Sequence, residues 1–383
     1  MTGRRSVALL NNFAGPSLGG GEIHLLVLLR ELPGRGIDPV VVCAAGSVLA
    51  GAVAEIGGVQ VVPVDFSALS LLRVPSALRS RLRGVDIVQG TGFLTNIVAR
   101  RLGRRLRAKV LNTVQVVPGA ARLDGESVPK RMLRAGLDRF TRGRVDLFVA
   151  VSSAVEGGLR AAGVAADRIV IVPNGLDVVA LRSAAVLPLP APLGAGHPRI
   201  GFVGRLERVK GIEYFVRAVP GILRGHPEAR FVVAGSGSLE AAMKTLAASL
   251  GVADHLELLG YVSPVAPVLA ALDVVVIPSL SEAAGLTAIE ALSLGVAVVA
   301  TRVGGLPDVI VDGETGLLVP PADPEALAHA VEALLRDPVR GREMAAAGAH
   351  RVEESYTVSR MVDGYLDVYT RLVPERPHEA PIR

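Results

Sequence analysis

Thirteen short runs of β-branched and aliphatic residues recur along the chain, and the segments between them carry Leu, Val and Ile at three-to-four spacing. Nothing else in the sequence restricts the fold as much. Runs that are apolar throughout, without polar alternation, belong to strands buried on both faces. Strand–helix–strand repetition of this regularity produces parallel, doubly wound α/β sheets. The pattern predicts strands at 7–11, 40–44, 59–64, 87–89, 110–115, 147–151 and 169–173. A second series follows at 200–203, 231–234, 256–259, 274–277, 296–300 and 317–319. Helical segments such as 23–32 and 96–106 fill the intervals, 324–335 and 339–351 follow the last strand, and 358–372 has no strand after it.

The alternation breaks once, at Leu187-Pro188-Leu189-Pro190-Ala191-Pro192-Leu193-Gly194, which has neither a helix nor a strand period. With 383 residues the chain can bury two cores. The expected organisation is a Rossmann-like domain at 1–186, a linker at 187–198 and a second Rossmann-like domain at 199–355. Helix 356–372 packs back on the first domain, and a frayed tail starts at Pro374. Two such domains face each other across a cleft at the carboxyl ends of their strands, where ligands bind.

Charge is divided between the two parts. Residues 1–185 hold 24 Lys/Arg against 13 Asp/Glu, and the remainder 17 against 23. Ten cations and one acid, Asp86, fall between Arg73 and Lys109. A further cluster, Lys130, Arg131, Arg134, Arg139, Arg142 and Arg144, surrounds Met132, Leu133 and Leu137. Leu interleaved with Arg on a helix suits an anionic membrane surface, and equally a solvated face. A nucleic acid is the weaker partner, because the basic part lacks stacking aromatics. The single cysteine, Cys43, lies in an apolar run and forms neither an internal disulfide nor a thiolate cage, so a reducing compartment is expected. No apolar run has the length of a membrane span, and residues 1–15 lack a signal-peptide pattern. The expected location is the cytoplasm, either free or peripheral on the inner face of its membrane.

Two stretches carry chemistry. In Gly201-Phe202-Val203-Gly204-Arg205-Leu206-Glu207-Arg208-Val209-Lys210-Gly211 a strand ends at Val203, and a planar fork and a point charge follow, which suits a diphosphate and equally a solvated loop whose cations face water. In Pro278-Ser279-Leu280-Ser281-Glu282-Ala283-Ala284-Gly285-Leu286-Thr287-Ala288-Ile289-Glu290-Ala291-Leu292 a buried strand gives way to a helix starting near Gly285. Its free amides suit a phosphate oxygen or a sugar hydroxyl. Glu290, flanked by Ile289, Ala291 and Leu292, is expected to be partly buried and to need donors such as ribose hydroxyls, while the alternative of an exposed Glu290 and of Glu282 as a plain helix-terminus charge is weakened for Glu290 by those flanks. No Asp-x-Asp occurs and the histidines are scattered singly, so no metal and no cofactor is expected. His24 reads as a structural histidine.

Glu282 and Glu290, with seven residues between them and the Gly-Arg-Leu and Lys-Gly elements upstream, resemble the donor site of the retaining glycosyltransferases of family 4, which have the GT-B architecture. The resemblance extends to Gly19-Gly20-Gly21-Glu22, Val172-Pro173-Asn174-Gly175-Leu176-Asp177, Gly235-Ser236-Gly237, Val303-Gly304-Gly305-Leu306-Pro307-Asp308 and Gly313-Glu314-Thr315-Gly316-Leu317-Leu318-Val319. It implies a nucleoside-diphosphate sugar as co-substrate and a glycan or lipid-linked acceptor. It implies catalytic roles for Arg205, Lys210 and Glu282. Donor contacts would come from Gly20, Gly21, Gly204, Tyr261, Val262, Gly285, Leu286, Thr287 and Glu290. Glu22, Gln115 and Asn174 fall on the acceptor side. Gln115 stands where such enzymes usually have histidine, Gln89-Gly90-Thr91-Gly92 lacks another, and Glu282-Ala283-Ala284-Gly285 lacks the usual phenylalanine. A sugar-nucleotide epimerase of related architecture, or a sugar-nucleotide-binding protein without turnover, are the alternatives.

Overall fold

The computed structural model describes residues 4–15, 18–66, 76–117, 128–189, 193 and 196–374, without the side chains of Lys130 and Arg131. Arg73, residues 190–192 and 194 of the Pro-rich stretch and the tail beyond Pro374 lie outside them.

Among the described residues all thirteen expected strands form, in two parallel sheets. The first contains β1 (Arg5–Leu10), β2 (Ile37–Ala44), β3 (Gln60–Val64), β4 (Ile87–Thr91), β5 (Lys109–Val114), β6 (Leu147–Ala150) and β7 (Ile169–Ile171), in the order β3-β2-β1-β4-β5-β6-β7. The second contains β8 (Arg199–Val203), β9 (Arg230–Ala234), β10 (Leu256–Gly260), β11 (Val274–Ile277), β12 (Ala297–Thr301) and β13 (Leu317–Val319), in the order β10-β9-β8-β11-β12-β13. Each sheet reverses its strand order beside its own first strand, between β1 and β4 and between β8 and β11. These switch points are where open α/β sheets take ligands. This is the GT-B architecture.

Helices cover both faces of each sheet, which is why strands such as Val274–Ile277 are buried along their whole length. On one face of the first sheet, Leu25, Leu28 and Leu29 pack with Met361, Tyr365 and Tyr369 of the last helix, Val358–Leu372. That helix presents Met361, Val362, Tyr365, Val368, Tyr369 and Leu372 at helical spacing, and this apolar stripe returns the chain to the first sheet. Its tyrosines also complete a buried polar chain. Tyr369 donates to Gln89 Oε1 (2.7 Å), Gln89 Nε2 donates to Thr113 Oγ1 (3.0 Å), and Tyr365 hydroxyl lies 3.2 Å from His24 Nε2. Burial lowers the His24 pKa to about 4, so the imidazole stays neutral.

The crossing between the two sheets differs from the sequence expectation. Leu176 N–H donates to Tyr356 carbonyl at 2.7 Å and Leu176 bridges Thr357, so the outgoing and returning strands of the chain run side by side. The helix Val178–Ala185, expected in the first domain, already packs on the second body, where Arg182 donates to Ser293 carbonyl (3.1 Å) and pairs with Glu353 (2.7 Å). The crossover therefore precedes the prolines. Gly175 fixes it: a Cβ there would stand 2.6 Å from the Thr357 carbonyl oxygen.

Candidate functional site

The segments that follow β1 and β6 meet those that follow β11 and β12, through Gly20 against Leu286 and Ser153 against Asp308, so the carboxyl ends of the two sheets face each other. On the second body, β8 ends at Val203 and the chain continues through Gly204 and the exposed Arg205 into a short 3-10 turn, Arg208–Lys210. Gly211 ends that turn with φ +65°, and its ideal Cβ would lie 2.0 Å from the Pro278 carbonyl oxygen, so no other residue fits. This contact, with Leu280 N–H donating to Val209 carbonyl at 2.9 Å, locks the Lys210 turn onto the loop after β11. Lys210 Nζ consequently reaches Glu282 Oε2 at 2.5 Å, and Ser279 hydroxyl lies 3.4 Å from the same oxygen. Nearby, Ser238 donates its N–H (3.0 Å) and hydroxyl (2.7 Å) to Glu207, and these bonds hold that carboxyl below its ordinary range.

The helix Leu286–Ser293 starts from Gly285, whose φ of +69° turns the chain into the cleft. The first backbone bonds to Gly285 carbonyl come from Ala288 and Ile289, leaving the Leu286 and Thr287 amides without helical partners. Thr287 hydroxyl points at Val203 carbonyl, 3.5 Å away. Glu290 lies one turn further along, between the buried Ile289 and Ala291. It is half-buried, and desolvation by the surrounding protein pushes its pKa up to about 7. No described side chain pairs with it. Tyr261, exposed, and Val262, half-buried, follow β10 at the outer end of this edge.

The first body approaches through its first helix, Gly20–Glu31. Gly20 sits against the start of the opposite helix, where a Cβ would meet Leu286 Cδ1 at 2.7 Å. Gly21 faces Gln115, with Oε1 3.0 Å from the position of a Cβ, and the buried Gln115 Nε2 has no hydrogen-bond partner. Asn174 is buried after β7 and its Oδ1 is likewise unpartnered. Glu22 is engaged locally: its carboxylate accepts from Gly19 N–H (3.2 Å) and Asn11 Nδ2 (3.3 Å), so it shapes the glycine loop.

Sequence reasoning missed one contact. Asp308 accepts from Ser153 N–H (2.7 Å) and Ser153 hydroxyl (2.5 Å) across the cleft, at the start of the helix Ser153–Ala161. In sequence Asp308 is only the end of a glycine-rich motif, and its partner on the other body leaves no local signal. Replacing Ser153 by Ala together with Asp308 by Asn is expected to cost about 1 kcal/mol of closed-state preference, a roughly fivefold shift toward open molecules. Small-angle scattering of the free protein checks this through an increased radius of gyration.

Two cations, two free amides and an unpartnered carboxyl thus converge on one edge, suited to a phosphorylated ligand that also carries hydroxyls. Among the described residues no group of three or more His, Cys, Asp or Glu is placed to hold a metal ion.

Known proteins resemble this chain in sequence and in fold. Residues 18–179 match the family described as Glycosyltransferase Family 4, and residues 197–337 match Glycosyl transferases group 1. The chain is 30% identical to D-inositol 3-phosphate glycosyltransferase of Acidothermus cellulolyticus, over 94% of this chain and 87% of that protein. It is 29% identical to the enzyme of the same name from Corynebacterium diphtheriae, over 90% and 91% of the two chains. In fold it resembles Anabaena HepE in complex with UDP and glucose, with a TM-score of 0.79 and 17% identity over 96% of this chain and 100% of the other. Sucrose-phosphate synthase from Thermosynechococcus elongatus superposes with a TM-score of 0.78 and 23% identity, over 96% and 99%.

Proposed function

We propose, since the chain belongs to glycosyltransferase family 4, that it transfers a sugar from a nucleoside diphosphate to a glycan or lipid-linked acceptor, with retention and without a metal. The observation that carries the donor reading is Glu290, a partly buried carboxyl with no described partner, one helical turn beyond two free amides, on the helix that follows the loop where Lys210 meets Glu282. A nucleoside diphosphate supplies ribose hydroxyls for the first and phosphate oxygens for the rest. HepE, the structural neighbour, is known in complex with UDP and glucose, which makes UDP the first probe.

In the free protein Lys210 neutralises Glu282. A diphosphate entering beside it takes over the ammonium group, and Glu282 is then free to accept from a hydroxyl of the donor sugar. As the anomeric C–O bond breaks, the electron pair stays on the departing phosphate oxygen. Lys210, Arg205 and the Leu286 and Thr287 amides stabilise that charge where a metal would otherwise serve. The acceptor oxygen bonds to the anomeric carbon and its proton leaves with the nucleoside diphosphate. Tyr261 and Val262 stand where the base extends, and Gly20 and Gly21 close over the sugar from the first body. Gln115 and Asn174 offer one unpartnered polar atom each to the acceptor side.

The expected product has the anomeric configuration of its donor, and it forms at the same rate in excess chelator. Proton NMR of the anomeric coupling reads the first result and a timed assay the second. An inverted product, or activity restored only by magnesium, would overturn this mechanism.

A further inference from the structure

The helix Val128–Arg142, which connects β5 to β6, faces the wrong way for a globular protein. Its polar side points inward. Arg100, 1% exposed, donates from Nε to Asn112 Oδ1 (2.9 Å) and from Nη1 to Thr141 Oγ1 (2.8 Å), and pairs with Asp138 at 2.9 Å. Arg142 pairs with the same aspartate, and Arg134 covers the Phe93 ring at 4.7 Å. Its apolar side points to solvent: Phe140 is 80% exposed, Met132 70% and Leu133 64%, with Val128 and Leu137 exposed on the same face. An apolar stripe is normally the side a helix buries, and an exposed one rimmed by polar groups marks an interaction surface.

The charge around the stripe says what covers it. The helix Phe93–Leu106 packs against Val128–Arg142, and Ser76–Arg81 packs in turn on Phe93–Leu106, on the same face of the sheet. They and the turns that follow expose Arg79, Arg81, Arg83, Arg104, Arg105 and Arg107. Arg79, Arg83 and Arg105 line one shallow cavity together with Ser76 and Ser80. The acid in this stretch, Asp86, accepts from Ser6 N–H at 2.9 Å and does not offset them. Arg139 and Arg144 flank the stripe itself. Two copies meeting by this face would bring arginine against arginine, whereas an anionic bilayer accepts both parts.

We infer that this helix is a membrane-docking element: its apolar face enters the interface of an anionic bilayer while the adjoining arginines hold lipid phosphates. Arg100, which sequence counts among the surface cations, is the internal strut that turns the helix outward. The inference is independent of the donor site and goes beyond it.

The chain contains no Trp, so Phe140→Trp gives the full-length protein a single fluorescent reporter. Its emission is expected to shift to the blue with vesicles of phosphatidylcholine and phosphatidylglycerol, to be quenched by brominated acyl chains, and to stay unchanged with phosphatidylcholine alone. Sedimentation with the mixed vesicles is expected to fall at least about tenfold in Met132→Gln/Leu133→Gln/Phe140→Gln, and also in Arg79→Gln/Arg83→Gln/Arg105→Gln. It is also expected to fall when salt is raised to about 0.5 M. UDP affinity should be unchanged in both variants, which separates loss of docking from loss of fold or donor site. Wild-type protein left in the supernatant at low salt overturns the inference. So does a Met132/Leu133/Phe140 variant that keeps its vesicle binding but changes from dimer to monomer in sedimentation velocity, because the face then belongs to a second copy.

Discussion

Lys210→Ala is expected to lower kcat/KM by about 10²–10³-fold, the loss typical of removing one group that stabilises a developing oxyanion. Nucleoside-diphosphate affinity should fall by at least about 1.5 kcal/mol, the lower end for a hydrogen bond to a charged group. Lys210 has two tasks that one substitution removes together. It neutralises Glu282 at 2.5 Å in the free protein, and in the proposed reaction it holds the departing diphosphate. A double-mutant cycle with Glu282→Gln separates them. If Lys210 served only to neutralise Glu282, its replacement would cost little in the Glu282→Gln background. The leaving-group role requires that most of the loss in kcat persist there. Lys210→Arg should recover only part of it, because the turn held by Gly211 leaves a fixed reach to the phosphate. Unchanged calorimetric affinity for UDP and other nucleoside diphosphates in Lys210→Ala would remove Lys210 from the site.

The sequence carried the sheets almost completely, for a physical reason. Strands covered on both faces read as continuous apolar runs, so Val274–Ile277 or Ala297–Thr301 could be placed without knowing their neighbours. The ends were less sharp. β1 starts at Arg5 because Ile37 pairs with it, which is a property of register and not of residues 5 and 6. Pairings across the molecule were not legible. Asp308 with Ser153, Leu176 with Tyr356 and Arg100 with Asp138 each join segments that no local pattern links. The helix Val128–Arg142 shows the limit most plainly. Its sequence interleaves Leu with Arg, which suits a membrane surface and a solvated face alike, and only the buried Arg100 behind it reveals that the apolar face points outward. For the site, the grouping of Arg205, Lys210, Glu282 and Glu290 along one edge followed from the order of motifs. The bond between Lys210 and Glu282, and the local engagement of Glu22, required coordinates.

Nucleoside-diphosphate affinity is expected to rise with pH through the neutral range in the wild type and to rise less in Glu290→Gln. In the free protein, desolvation without a donor moves the Glu290 pKa from 4.5 up to about 7. Ribose hydroxyls donate best to the ionised carboxylate, so the complex holds fewer protons than the free protein, and affinity climbs with pH until about 7 and is then flat. If only the ionised form binds, the ionised fraction grows from about 3% near pH 5.5 to about 90% near pH 8, a roughly thirtyfold gain worth about 2 kcal/mol. The ligand's terminal phosphate titrates in the same window, and Glu290→Gln retains that contribution while losing the carboxyl's, so the difference between the two profiles isolates Glu290. The same shift acts on folding with a definite sign. Between about 4.5 and about 7 the unfolded chain has released a proton that the folded chain retains, so stability falls as pH rises. The loss is absent below the unfolded pKa and complete above the folded one, on the order of 3 kcal/mol. Saturating nucleoside diphosphate should therefore raise the melting temperature more near pH 8 than near pH 5.5, and Glu290→Gln without ligand should melt higher than wild type only at the alkaline end. Calorimetric profiles that run parallel in the two proteins would mean that Glu290 does not meet the ligand.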